Sequence, residues 1–199
     1  MTEIMGSRIA VVGWGSLIWD RRGLPVLYDR WFSDGPFLPV EFARISQRGR
    51  LTLVVEEDVP CVPSLWNVSP RDDWRIARQD LADREGVTNF EWIGVLDLVT
   101  GDWYTRLSAP LQERIYTWAE EKDLSAVIWS DLPANFSEEL RKRQCPRHAF
   151  TPENVIHYLQ RHADKQAAER YIRCTPPQID TPMRRHIEGE LGWTPWPSC

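Results

Sequence analysis

An α+β fold is expected for this chain, and three observations predict it. Strand-like segments crowd the first hundred of its 199 residues, and helical segments fill most of the rest. That order differs from the strand–helix alternation a doubly wound parallel sheet requires. Hydrophobic content of 42% and charged content of 27% are ordinary for a globular chain and exclude a disordered one. At about 150 residues per domain, one domain spanning 1–199 is the default, with sheet and site in about 8–100 and a mostly helical part in about 105–199.

The elements follow in order. Arg8–Gly13 is a β-branched, apolar strand running into the glycine-bearing turn Gly13-Trp14-Gly15-Ser16-Leu17. Leu38–Ser46 and Leu51–Glu56 form strands of a hairpin turning at Arg48-Gly49. Cys61–Val68 is a further strand, and Pro60 and Pro63 assign it to an edge. Ser69-Pro70 is an N-cap with proline at the first helical position, Asp72 and Asp73 fill the first turn, and Gly86 stops the helix. Glu91–Val99 returns to strand, Ser108 caps a helix over about 110–122, and Ser125–Trp129 is a last short strand. Beyond Ser137, Thr151-Pro152 and Thr181-Pro182 begin helices and Gly192 ends the last of them.

Composition narrows the function classes. A formal charge of −5 disfavours a nucleic-acid binder, which usually carries a basic domain. The 11 tryptophans are scattered along the chain and not interleaved with basic residues in one region, as a base-stacking platform would need. No run approaches the 18 or so apolar residues of a membrane span. Met1–Ile9 has neither the basic start nor the cleavage site of a signal peptide. Cys61, Cys145, Cys174 and Cys199 are too widely spaced for a zinc or redox motif, so a cytoplasmic protein with free thiols is expected. Arginines outnumber lysines 21 to three; Arg can grip carboxylates and phosphates, but codon bias is the favoured explanation of the excess.

Familiar catalytic motifs fail one by one. Gly13-x-Gly15 follows a strand, but Ile18 occupies the third glycine position of a dinucleotide fingerprint. A phosphate loop would need Gly-Lys-Ser/Thr, which is absent, and Ser16 lies outside G-x-S-x-G. His157 and His162 are five residues apart and fall on different helix faces, which spoils a shared metal. No cofactor and no metal are expected.

Two local features remain. A strand ending in Gly-Trp-Gly-Ser-Leu can turn successive N–H groups inward as an anion-binding nest; alternatively the glycines only supply positive φ in a tight turn. Asp83-Arg84-Glu85-Gly86-Val87 places Glu85 in the last turn of a helix, facing the negative end of the helix dipole. If shielded from water, such a glutamate suits general acid–base work; otherwise it is a solvated residue beside the glycine stop, or a partner for Arg84. On the strand Val40–Ser46, alternation sets Glu41 with Ala43 and Ile45, and Arg44 with Val40 and Phe42. Each charge thus sits in an apolar row, where isolation is costly. Either one of them lines a pocket, with Arg44 meeting a substrate carboxylate, or both make separate structural pairs.

Taken together, Gly13-Trp14-Gly15-Ser16-Leu17 resembles the glycine–serine loop that opens γ-glutamylcyclotransferase-like proteins. Asp83-Arg84-Glu85-Gly86-Val87 resembles their later Glu-Gly segment. The resemblance covers roughly residues 8–100, and the order of the two motifs matches. It implies a small mixed β-barrel or sheet with peripheral helices, and a metal-independent enzyme that releases 5-oxoproline from a γ-glutamyl amine or peptide. It also implies that Glu85 is the catalytic base and acid, with Gly13, Trp14, Gly15, Ser16 and Leu17 in the substrate-binding loop. Trp14 departs from the family's usual tyrosine, and the second glycine and tyrosine that follow the glutamate in the glutathione-specific branch are missing. The rival reading is a non-catalytic module that binds a small acid or a protein partner. In that reading the tail Gly192-Trp193-Thr194-Pro195-Trp196-Pro197 is a docking segment; otherwise it packs back over the core.

Overall fold

The computed structural model describes residues 7–197 and 199, so most of the N-terminal stretch inspected for a signal peptide lies outside the described residues. In chain order the elements are β1 (Ile9–Gly13), β2 (Phe37–Leu38), β3 (Val40–Ile45), β4 (Leu51–Val55), β5 (Val62–Pro63), β6 (Leu65–Val68) and α1 (Trp74–Glu85). A 3-10 turn (Phe90–Trp92) leads into β7 (Ile93–Asp97), followed by β8 (Asp102–Tyr104), α2 (Ala109–Glu121), β9 (Ala126–Ser130) and α3 (Phe136–Lys142). The chain then runs through α4 (Pro152–Arg161), α5 (Lys165–Cys174) and α6 (Pro182–Leu191). The class is α+β. No helix among the described residues is long and apolar enough to cross a membrane.

Backbone contacts divide the chain into two compact units. Unit 1 takes the segment ending at Gly13, then Asp20–Phe37 and Pro63–Leu132. Its centre is a five-stranded sheet in the order β6-β1-β9-β7-β8. β1 and β9 pair in parallel, and every other neighbouring pair is antiparallel. β1 is buried at all five positions, as a central strand read from continuous apolar residues should be. The sheet is open, with β6 and β8 at its edges, and no sheet among the described residues closes on itself. This corrects the expected barrel. Closure would need every strand to have two neighbours, and β8, at three residues, ends the ladder. The sheet also reaches beyond the first hundred residues, because β9 sits between β1 and β7.

One glycine in this sheet is there for space. Gly94 on β7 lies opposite Trp129 on β9, and a Cβ added there would fall inside contact distance of the fully buried indole. We expect Gly94→Ala to lower the unfolding free energy by about 1–3 kcal/mol, the usual effect of overpacking a rigid core neighbour. Denaturant titration with an unchanged m-value checks this, and wild-type stability in the variant would contradict it.

The helix expected from Ser69 begins later. Asp73 is its N-cap, with a side-chain oxygen accepting from Arg75 N, while Ser69 Oγ accepts from Arg71 N before the helix starts. Ser69 offers a hydroxyl oxygen and Asp73 a carboxylate oxygen, both on short side chains suited to a cap, and the chain uses the second. Gly86 ends α1 at φ +69, in the left-handed region glycine favours.

Unit 2 takes Trp14–Trp19, Leu38–Val62 and Pro133–Cys199. β3 and β4 form the expected hairpin, with Gly49 at φ +72 in its turn. Helices α3 and α6 pack on β3, α5 packs on β4, and α4 packs on α5 and α6. The end of β3 is covered by a side chain that imitates a strand. Asn135 Oδ1 accepts from Ile45 N at 2.7 Å and Asn135 Nδ2 donates to Ile45 O at 3.1 Å.

The tail is fastened to α5. Trp193 is buried, Trp196 N donates to Arg173 O, and Cys199 is disulfide-bonded to Cys174. The expectation of free thiols therefore holds for Cys61 and Cys145 alone. Nothing in the spacing of the cysteines distinguished this pair; packing of the tail against α5 brings the two together.

Candidate functional site

In unit 1, topology decides where Glu85 goes. β6 runs antiparallel to β1, so the chain leaves β6 beside the start of β1, and α1 must travel back along the sheet. Two contacts trace that path. At its first turn, Trp74 Nε1 donates to Asp97 Oδ2 at 2.8 Å, where β7 ends beside the start of β9. One turn on, Arg78 Nε and Nη2 donate to Ile93 O at 3.1 and 2.8 Å, where β7 begins beside the end of β9. Glu85, the last residue of α1, thus comes to the end of the sheet at which β1 finishes in Gly13 and β9 in Ser130.

The residue that fixes this end is Arg84, which sequence reasoning considered only as a possible partner for Glu85. Its side chain is 3% exposed. Nη1 donates to Glu85 Oε1 at 2.8 Å, while Nε and Nη2 donate to Asp20 O at 3.2 and 2.6 Å. Asp20 is the residue at which the chain returns to unit 1 after Trp14–Trp19. One buried guanidinium therefore joins the glutamate segment to Asp20, where the chain re-enters unit 1. Glu85 keeps 17% of its side chain open to solvent, so it is shielded but reachable.

Unit 2 holds the turn itself. Trp14 is 4% exposed and its Nε1 donates to Leu53 O at 3.4 Å. Gly15 O accepts from Ile18 N at 3.0 Å, closing the turn, and Leu17 is buried. Gly13 and Gly15 both lie outside the positive-φ region, as do Trp14, Ser16 and Leu17. The backbone therefore lacks the alternating right- and left-handed conformations of a nest, and positive φ is not what the glycines supply. Gly15 is needed because Tyr171 Oη of α5 occupies the place a Cβ would take. Tyr171 gave no signal in the sequence, since one buried tyrosine on an amphipathic helix looks like any core residue.

Glu41 and Arg44 have partners of their own in unit 2. Glu41 is 2% exposed. Its Oε1 accepts from Phe42 N at 2.8 Å and, by a short bond, from Thr181 Oγ1, while Oε2 accepts from Met183 N at 3.0 Å. Thr181 is the N-cap of α6, so the carboxyl extends that cap from another element. Burial pushes the Glu41 carboxyl above its ordinary value, against the lowering effect of these three donors. Arg44 is half-buried and its Nη1 donates to Pro133 O at 2.6 Å. A register shift in the β3–β4 ladder lies between the two residues, so the simple alternation used to assign their faces does not run through. Both side chains make separate structural contacts.

Comparison with family models, with curated proteins and with solved structures finds no match to this chain.

Proposed function

We propose that the protein is a γ-glutamylcyclotransferase-type enzyme, releasing 5-oxoproline and a free amine from a γ-glutamyl amine or peptide. The observation that supports the reading is the setting of Glu85, held by Arg84 Nη1 at 2.8 Å at the sheet end where β1 finishes in Gly13, and still 17% open to solvent. The substrate brings its own nucleophile. Its α-amino nitrogen attacks the γ-carbonyl carbon, forms the C–N bond of a five-membered lactam, and the bond to the leaving amine breaks. Intramolecular attack of this kind carries a large proximity advantage, so the protein's work is to fold the chain and move protons. In this reading Glu85 relays two protons from the attacking nitrogen to the departing one, the first taken from the ammonium before attack and the second shed as the lactam forms, so the amine leaves as an ammonium. The Gly13–Leu17 segment holds the glutamyl chain.

A panel of γ-glutamyl amines and dipeptides, assayed for 5-oxoproline by chromatography, tests the reaction. At least one member should be turned over, while its α-N-acetyl derivative, whose nucleophile is blocked, should remain intact. Absence of 5-oxoproline across the panel would overturn the proposal.

A further inference from the structure

We infer that Arg50, in the turn of the β3–β4 hairpin, is a carboxylate-binding residue: its guanidinium lies over the Tyr171 ring with no anion of its own among the described residues. Within unit 2 the backbone of Arg50 is fixed from several sides. Ser46 N donates to Arg50 O at 2.9 Å, Arg50 N donates to Ser46 Oγ at 3.2 Å, and Gly49 N donates to Ser46 O at 2.8 Å. Tyr158 Oη, from α4, donates to Gly49 O at 2.7 Å and holds the turn from the helix side. A residue anchored in this way can present its side chain in one direction with little entropy left to lose on binding.

That direction is toward Tyr171. The Arg50 guanidinium lies over the phenol ring, 5.8 Å from its centroid, and the hydroxyl of the same ring abuts Gly15. Trp19 packs edge-on against the ring at 5.4 Å and Phe42 at 6.4 Å. One aromatic ring therefore spans from the glycine turn to the arginine, walled by two more.

The charge state of this corner is unusual. Among the described residues, buried Arg50 Nε has no hydrogen-bond partner and no carboxylate forms an ion pair with the side chain. Arg184, the most buried arginine of the unit, instead distributes its donors over Glu188 and three backbone carbonyls. A guanidinium presents Nε–H and one Nη–H as a planar fork that matches the two oxygens of a carboxylate. In Arg50 the Nε arm of that fork is unused, whereas Arg44, the arginine first considered for this role, spends a donor on Pro133 O. The stacked ring stabilises the cation without neutralising it, which leaves the site matched to a small organic acid.

The identity of that acid rests on the function proposed above: it is the α-carboxylate of the glutamyl group, retained in 5-oxoproline. Isothermal titration with 5-oxoproline and with its neutral carboxamide tests the assignment independently of turnover. The wild type should bind the acid and discriminate against the amide. Arg50→Gln should weaken acid binding by about tenfold or more and abolish the discrimination. Arg50→Lys should retain part of both, and Arg185→Gln, on the exposed part of α6, should change neither. Failure of the wild type to bind the acid, equal affinity for acid and amide, or unchanged binding in a folded Arg50→Gln protein would each overturn the role of Arg50. The chromatographic assay on the same preparations separates the two proposals. Arg50-dependent binding without any 5-oxoproline release overturns the reaction alone, and release with unaltered acid binding in Arg50→Gln overturns the arginine alone.

Discussion

Replacing Glu85 with glutamine should reduce 5-oxoproline release by about 10²–10⁴-fold, the range a single positioned acid–base group contributes, while the protein stays folded. The substitution is nearly isosteric, and the amide oxygen can still accept from Arg84 Nη1, now 2.8 Å from Oε1. Arg84 therefore keeps its bonds to Asp20 O, and the end of α1 stays in place. What disappears is the group able to take and return a proton. The thermal midpoint should fall, because the buried Arg84 guanidinium loses a carboxylate, and assay below that midpoint separates the chemical loss from unfolding. The paired measurement is the rate on the best member of the γ-glutamyl panel alongside a denaturation curve. Full activity in a folded Glu85→Gln protein would remove Glu85 from the mechanism.

The second large effect belongs to stability. Glu41→Ala should lower the unfolding free energy by about 3 kcal/mol, because it strips the acceptor from Phe42 N–H, the Thr181 hydroxyl and Met183 N–H in a dry environment. Its pH dependence has a definite sign. Burial raises the Glu41 carboxyl above the ordinary 4.5, so just above that pH the folded protein holds a proton that the unfolded chain has released. Unfolding free energy then falls as pH rises through this window, and the contribution of the protonated form is complete only below it. The variant should lack this component. Urea titrations at several pH values would show it as a difference in slope between the two proteins. Parallel curves would mean that Glu41 titrates normally when folded.

Much of the secondary structure was legible because it is governed by local chemistry. Gly86 and Gly192 end their helices at φ +69, and the threonines before Pro152 and Pro182 cap theirs. The hairpin over β3 and β4 follows from a glycine between two apolar runs. Where two local signals compete, reading is less sharp: Ser69 and Asp73 both suit an N-cap, and only the course of the chain out of β6 selects Asp73. Long-range arrangements were not legible. The position of β9 between β1 and β7, the closure of Cys174 on Cys199 and the capping of α6 by Glu41 each join residues far apart in sequence. The candidate residues of the two units divide along the same line. Glu85 and the glycine turn are visible as short motifs, whereas Arg84 as an anchor, Tyr171 and Arg50 become visible only through the elements that approach them.

The parallel pairing of β1 with β9 also has a consequence for how the molecule is made. Residue 9 pairs with residue 126, so the central ladder of unit 1 must wait until well over a hundred further residues have emerged from the ribosome. Unit 2 is interrupted in the same way, since Trp14–Trp19 and Leu38–Val62 precede the helices that begin at Phe136. Ladders of such wide sequence separation form slowly, and their apolar strands stay exposed in the meantime. During synthesis the five buried residues of β1 are therefore a waiting edge, and the antiparallel strand β6, available about 60 residues earlier than β9, is their first native cover.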